Sequence, residues 1–282
     1  MKLNKYTAEI YVPDNAPIAE ALARTTHLCI AAHQDDIEIM AAQPILECFH
    51  DQDKWFTGVV LTDGRGSPRN GSYGQITDEE MRLIRISEQR KAAIIGNYSA
   101  IIFLDYPSSE VKDASNQKPI EDLLNLLRNT APKFVYTHNL ADKHDTHVAV
   151  ALRAMQALRL LNLNERPEKV VGCEVWRSLD WVNDDEKIIM DLSDHFNQQA
   201  ALLGVFDSQI AGGKRYDLAA MSRRQANATF FESHGVDVMS SASFGMDLTP
   251  LVHNPDIAPL DFVTAFMQRF SNDVKDRLNR MS

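Results

Sequence analysis

Two rhythms of apolar residues alternate along this chain. Short, nearly continuous apolar runs are followed by longer stretches in which apolar residues return every three or four positions. The first rhythm is that of a buried strand, the second that of an amphipathic helix. Strands are predicted at residues 26–32, around His27-Leu28-Cys29-Ile30, at Phe56 to Leu61, at Ala100 to Leu104 and at Phe134 to Thr137. Helices are predicted at residues 18–24, from about Asp36 toward His50, from Thr77 to Ile95, at about 119–129, and from about Asp145 to Leu161. Ile37, Met40, Ala41, Ile45, Cys48 and Phe49 carry the second of these helices, and Pro44 within it predicts a kink or a restart. Thr77 and Glu80 have the spacing of a capping box, Gly96 is placed to stop that helix, and Asp145 is the expected cap of the last.

Strand alternating with helix through about residue 161 predicts an α/β fold: a Rossmann-like, mostly parallel sheet with helices on both faces. The remainder has another pattern. Strands are expected at 170–176 and 187–190 on either side of the acidic turn Asn183-Asp184-Asp185. Helices are expected at about 194–206 and 215–233, irregular chain at 234–258, and an amphipathic helix through Phe262, Phe266, Met267 and Phe270. The expectation is one domain over residues 1–282, with a core at about 24–165 and a C-terminal elaboration at about 166–282.

Composition narrows the functional classes. A 282-residue chain with 44% hydrophobic and 24% charged residues can bury a large core. Its net charge of -10 argues against nucleic acid or an anionic membrane as partner, since both need a basic surface. Cys29, Cys48 and Cys173 are an odd number in apolar surroundings and are expected to be reduced core thiols. The N-terminal residues lack the apolar segment of a signal peptide, and no apolar run approaches the ~20 residues of a membrane span. A cytoplasmic protein with a small-molecule partner is expected, its assembly left open between monomer and homo-oligomer.

The chemistry concentrates in two turns, each just after a predicted strand. His33-Gln34-Asp35-Asp36-Ile37-Glu38 follows the first strand, and Asp142-Lys143-His144-Asp145-Thr146-His147 follows the fourth. In a parallel sheet both turns lie at the carboxyl edge, where α/β folds place ligands. A hydrolytic metal centre needs three N/O ligands with an open position, a carboxylate to take a proton from water, and a donor for the developing oxyanion. His33, Asp36 and one of His144 and His147 meet the ligand count; Asp35 is free to be the base, and the other histidine to stabilise the oxyanion. The plainer readings are a helix cap made by Asp35 and Glu38, and two surface histidines on a first helical turn. His27, His50, His195 and His253 read as structural or surface residues, and Glu174 and Arg177 as a solvated strand edge. The loop at 66–76 is a candidate lid, and the glycine-rich stretch 64–74 lacks the lysine of a phosphate-binding loop.

Five ordered motifs carry a specific resemblance. Ala32-His33-Gln34-Asp35-Asp36-Ile37-Glu38 matches A-H-P-D-D-x-E, and Leu61-Thr62-Asp63-Gly64 a strand ending in a T-D-G turn. Arg85, Glu88, Ala92 and Gly96 fit R-x-x-E-x-x-x-A-x-x-x-G, and Asp142, His144 and His147 fit D-x-H-x-x-H. Asp191-Leu192-Ser193 and Ser208-Gln209 match a later pair. Over about residues 27–210 the chain resembles the PIG-L, or LmbE-like, zinc-dependent N-deacetylases, which remove acetyl groups from N-acetylglucosamine-type substrates. The resemblance implies His33, Asp36 and His147 as metal ligands, Asp35 as general base, and His144 as the group that stabilises the tetrahedral intermediate or protonates the amine. It implies Arg85, with Asp63 and Arg65, as contacts to a polar part of an amino-sugar substrate. Zn2+ is the implied cofactor, and Fe2+ suits the same ligands. The chain departs from the pattern at Gln34, where proline is usual, at Asp145-Thr146, where Pro-Asp is usual, and at Gln198, where lysine is usual. The second change touches the contact that normally orients the last histidine. Other readings are a non-catalytic carbohydrate-binding protein on this fold and a metal hydrolase acting on another amide or ester.

Overall fold

The computed structural model describes residues 1–49 and 51–282. The surface reading of His50 and the end of the helix running toward it lie outside the described residues. The N-terminal half contains β1 (Glu9–Tyr11), α1 (Ile18–Ala23), β2 (His27–Ala31), α2 (Asp36–Met40), α3 (Ala42–Phe49) and β3 (Phe56–Thr62). It continues with α4 (Asp78–Ile95), β4 (Ala100–Tyr106), α5 (Ser108–Lys112), α6 (Lys118–Thr130), β5 (Phe134–His138) and α7 (Asp145–Arg159). Then follow β6 (Lys169–Cys173), β7 (Lys187–Asp191), α8 (Phe196–Gly204), α9 (Asp207–Ile210), α10 (Tyr216–Thr229), β8 (Ala242–Asp247), α11 (Thr249–His253) and α12 (Pro259–Met281).

The strands form one sheet in the order β1-β4-β3-β2-β5-β6-β8-β7. The five strands from β4 to β6 are parallel, while β1, β8 and β7 pair antiparallel at the two ends. Side chains alternate between two cores, as a pleated strand requires. Leu28 and Ile30 face the core built with Leu123 of α6 and Val150 of α7; Cys29 and Ala31 face the core built with Ile37 of α2, Ile45 of α3 and Ala93 of α4. Strand order reverses between β2 and β5, so a crevice opens between the carboxyl ends of those neighbours. All three cysteines are buried free thiols. Among the described residues no helix is long and apolar enough to cross a membrane.

Several local expectations change. The helix after β2 breaks at Ala41, not at Pro44. Pro44 sits in the first turn of α3, where its missing N–H removes no intrahelical bond. Asp145 is the first residue of α7, and His144 occupies the cap position. The two strands around the acidic turn do not pair; β8 lies between them, drawn from the segment expected to be irregular. Its Ala-Ser-Phe-Gly-Met-Asp sequence has little β-branched signal, and pairing on both sides decides its conformation. Gly245 is required by that closeness, because a Cβ there would lie 2.5 Å from Val171 Cγ1.

Glu174 is not a solvated edge, although Arg177 beside it is exposed. The Glu174 carboxylate is buried and accepts from Leu179 N at 3.0 Å, Phe244 N at 3.1 Å and Asn227 Nδ2 at 2.5 Å. It thereby joins β8 and α10 to the end of β6. Glu174→Ala would leave the Leu179 and Phe244 N–H groups unpaired and take from Asn227 Nδ2 one of its two acceptors, the Ala242 carbonyl remaining, and each buried unsatisfied group costs about 1–3 kcal/mol. Urea unfolding is expected to show a loss of roughly 3–5 kcal/mol; a change under about 1 kcal/mol would show that the junction does not depend on this carboxylate.

Candidate metal centre and active-site cavity

Beyond β2 the chain continues through Ala32 and His33 and turns sharply at Asp35 to begin α2. Asp35 has φ 91°, a conformation that costs a non-glycine residue about 1–3 kcal/mol. The turn is held on several sides. Asp36 Oδ2 accepts the His33 backbone N–H at 2.8 Å, Gln89 Oε1 accepts the Asp35 N–H at 3.2 Å, and Arg85 donates to the Gln34 carbonyl and to Ser67 Oγ. Gln34, in the place usual for proline, reaches the Thr62 carbonyl through Nε2 at 3.3 Å. Gly64 (φ +69°) lets the neighbouring turn close over it, since a Cβ would meet Gln34 Oε1 at 2.5 Å.

Across the β2/β5 crevice, the cap and first turn of α7 bring His144 and His147 to the same point. His147 Nε2 lies 3.3 Å from His33 Nδ1 and 3.3 Å from Asp36 Oδ2, and His33 Nδ1 lies 3.1 Å from the same oxygen. His33, Asp36 and His147 thus form one cluster with metal-ligand spacing. Asp142 orients the last of them: its Oδ2 faces His147 Nδ1 at 3.4 Å and also accepts Trp176 N at 3.1 Å, while its Oδ1 accepts His144 N at 3.1 Å. With its Nδ1 proton turned to Asp142, His147 presents the Nε2 lone pair to the cluster. The substitution at Asp145-Thr146 therefore leaves the orienting contact in place, made by Asp142.

His138, at the end of β5, escaped the sequence reading. It stacks on His147 with ring centroids 3.9 Å apart, and its Nε2 accepts the Ala32 N–H at 2.9 Å. The signal was present, because His138 directly follows the predicted strand at Phe134 to Thr137, on the carboxyl edge of the sheet. His138, Asp142 and His147 make a second cluster of metal-ligand spacing, but all three are buried and His138 Nε2 is already engaged. The first cluster opens on the cavity through half-buried His33 and fits a divalent cation better: two imidazole nitrogens and a carboxylate oxygen around one point, with room for a fourth ligand.

Electrostatics around this point favour positive charge. Burial opposes the Asp36 carboxylate, yet the rings of His147, His33 and His138 hold it well below the usual carboxylate range. Burial likewise opposes a His147 cation, and Asp36 and Asp142 overcome it, raising His147 to about 9. A divalent cation would displace that proton. Burial lowers His33, and burial with the neighbouring His147 and His33 depresses His144 to about 4, so His144 is a neutral imidazole. Burial lifts Asp35 to about 7 against the pull of Arg85, whose Nη2 is 3.2 Å from Asp35 Oδ1.

Glu38 is structural and buried. Its Oε1 accepts from Tyr98 Oη and Gln89 Nε2, both at 2.7 Å, while Oε2 has no partner. Burial pushes it up to about 8 from an ordinary 4.5. Between those values the folded chain keeps a proton that the unfolded chain releases, so stability falls as pH rises through that window. Glu38→Gln should flatten the decline of Tm with pH across this range; identical slopes in both proteins would refute the assignment.

The cavity around the cluster measures about 470 Å³. Asp35, Asp63, Arg85 and His144 all line it, together with Lys112, Lys214, Trp176 and Tyr216. Arg65 does not line it; its guanidinium is held by Asp63 at 2.8 Å and Glu79 at 2.6 Å. The 66–76 loop contributes Gly66, Ser67 and Pro68, and is tied down through Tyr73 Oη to Asp207 Oδ2 at 2.6 Å. The motif holding Arg85 and Glu88 meets the Ser208-Gln209 motif in a buried contact: Ser208 N and Oγ donate to Glu88 at 2.7 and 2.6 Å, which sets Gln209 in the cavity wall.

Comparison with known proteins agrees with the motif resemblance. The PIG-L family model, described as GlcNAc-PI de-N-acetylase, matches residues 28–158, a span that holds both histidine turns and Arg85. Among solved structures, the conserved protein TT1542 from Thermus thermophilus is 18% identical with a TM-score of 0.61, covering 83% of this chain and 99% of that one. The N,N'-diacetylchitobiose deacetylase from Pyrococcus horikoshii is 18% identical with a TM-score of 0.61, covering 82% and 86%. The 4-carboxy-2-hydroxymuconate hydratase GalB from Pseudomonas putida is 18% identical with a TM-score of 0.59, covering 79% and 96%. These likenesses establish the fold. No curated protein matches the chain.

Proposed function

We propose that this chain, whose residues 28–158 are of PIG-L type, is a metal-dependent N-deacetylase that hydrolyses the acetamide of an amino sugar to the free amine and acetate. One observation carries the reading: His33, Asp36 and His147 converge in the same cavity as Asp35 and His144, inside the span that matches a de-N-acetylase family. Those three residues would hold the cation, with zinc the proposed metal and ferrous iron suited to the same donors. A divalent cation bound there supplies Lewis-acid polarisation of the scissile carbonyl and a water of lowered pKa.

The remaining work falls to this chain's own side chains. Asp35, lifted to about 7, has a proton affinity matched to accepting a proton from water near neutral pH. Arg85 keeps its carboxylate aimed into the cavity. His144, neutral and on the cavity wall, donates a hydrogen bond to the developing oxyanion or passes a proton to the departing nitrogen. Asp63, Ser67, Lys112 and Lys214 offer partners for sugar hydroxyls, and half-buried Trp176 offers a flat face. The chitobiose deacetylase among the solved neighbours supports an amino-sugar substrate.

The test is a panel of N-acetylated amino sugars assayed for free amine with zinc, ferrous iron or a chelator. Metal-dependent amine release from at least one sugar is expected. Release from none of them with any metal would overturn the reading. A hydratase among the solved neighbours favours a second one, in which the same groups direct water onto a different electrophile; unsaturated carboxylic acids in the panel distinguish it.

A further inference from the structure

A second cavity, of about 130 Å³, adjoins the first and shares Asp36, Trp176 and Tyr216 with it. Ile39, one turn past Asp36 on α2, forms one wall, and Val175 another. The third wall belongs to α10: Tyr216, Ala219, Ala220 and Arg223 stand at i, i+3, i+4 and i+7, a single helix face. Arg223 is the one fully charged group added to the shared residues, and its guanidinium is turned onto the Val175 carbonyl. The cavity therefore offers aliphatic surface beside a metal ligand and little to a hydroxyl, which loses affinity when buried without a partner.

We propose that this cavity receives the acyl chain of the scissile amide, and that the preferred substrates carry acyl groups longer than acetyl. The inference rests on the hydrolase reading above. An amide whose carbonyl lies at the His33–Asp36–His147 point has its acyl carbon on one side and its nitrogen and sugar on the other. The two cavities meeting at Asp36 divide in the same way: the polar one suits the sugar, the apolar one the acyl chain. At about 30 Å³ for a water-sized group, the cavity holds roughly four such groups, and an acetyl methyl fills only one. The hydrolysis needs no other reactant. The C–N bond breaks, the acyl carbon takes the water oxygen, the nitrogen takes the proton, and the products are an amino sugar and a short fatty carboxylate.

The experiment compares N-acetyl-, N-butyryl- and N-hexanoylglucosamine with the metal-loaded protein. A buried methylene is worth about fourfold, so kcat/KM for butyryl is expected to exceed that for acetyl by roughly tenfold. Ala220→Phe, which fills the cavity, should lower the butyryl-to-acetyl ratio by at least about tenfold; Ala219→Leu serves as a second, milder filling. Calorimetry supplies a readout independent of turnover: hexanoate should bind more tightly than acetate, and the difference should vanish in the filled variants. Equal binding with a flat or falling chain-length profile that neither variant changes would overturn the acyl site and leave the deacetylase reading standing. Cleavage of no amide, with hexanoate still favoured over acetate, would overturn the hydrolase reading while the acyl site stood.

Discussion

Asp35→Asn is expected to lower kcat by about 10²–10⁴-fold with the bound-metal stoichiometry unchanged. Asparagine keeps the shape of the side chain but cannot accept a proton. Asp35 is not one of the three clustered donors, so its loss leaves His33, Asp36 and His147 where they are. The turn is secured by groups an amide does not remove: Gln89 on the Asp35 N–H and Arg85 on the Gln34 carbonyl. Metal analysis and steady-state kinetics on the same preparation check both halves. Loss of metal together with activity would make Asp35 a ligand; activity within about tenfold of wild type would remove it from the chemistry.

His147→Ala is expected to weaken metal binding by more than about 100-fold, beyond the 10–100-fold typical of an outer contact, and to lower activity in step. The substitution removes the donor contributed from across the crevice and leaves His33 and Asp36 on one turn. The fold should persist, because Asp142 still accepts the backbone N–H groups of His144 and Trp176. Metal titration and circular dichroism separate the outcomes. Unchanged metal affinity would move the site away from this residue, and an unfolded variant would show that His147 is first a structural group.

How much of the site could be read along the chain depended on how local each contact was. His33, Asp35 and Asp36 belong to one turn, and His144 and His147 to another; strand–turn–helix spacing was enough to find both. His138 was overlooked because it directly follows a predicted strand and precedes the turn that was singled out, and only the packing of β5 against β2 brings it to Ala32 and His147. Arg65 shares a turn with Asp63, yet Glu79 on α4 draws its guanidinium away from the cavity. Glu174 looked like an edge residue until β8 closed over it.

The sequence by itself determined the alternation of strands and helices, the capped helix at Asp78–Ile95, the parallel core and the two turns that supply the His33–Asp36–His147 cluster. Each is set by periodicity or by residues within one turn of each other, where local sterics and capping bonds decide. Tertiary structure alone decided that β8 enters the sheet between β6 and β7, that His147 meets His33 and Asp36, and that a face of α10 walls an apolar cavity beside Asp36. These join residues tens to hundreds of positions apart, and whether such groups meet is settled by the packing of the two cores. The turn from His33 to Glu38 belongs to both accounts: its residues were legible in order, while what meets each of them, His147 at His33 and Asp36, Arg85 at Asp35, Tyr98 and Gln89 at Glu38, came from the packing of the rest of the chain.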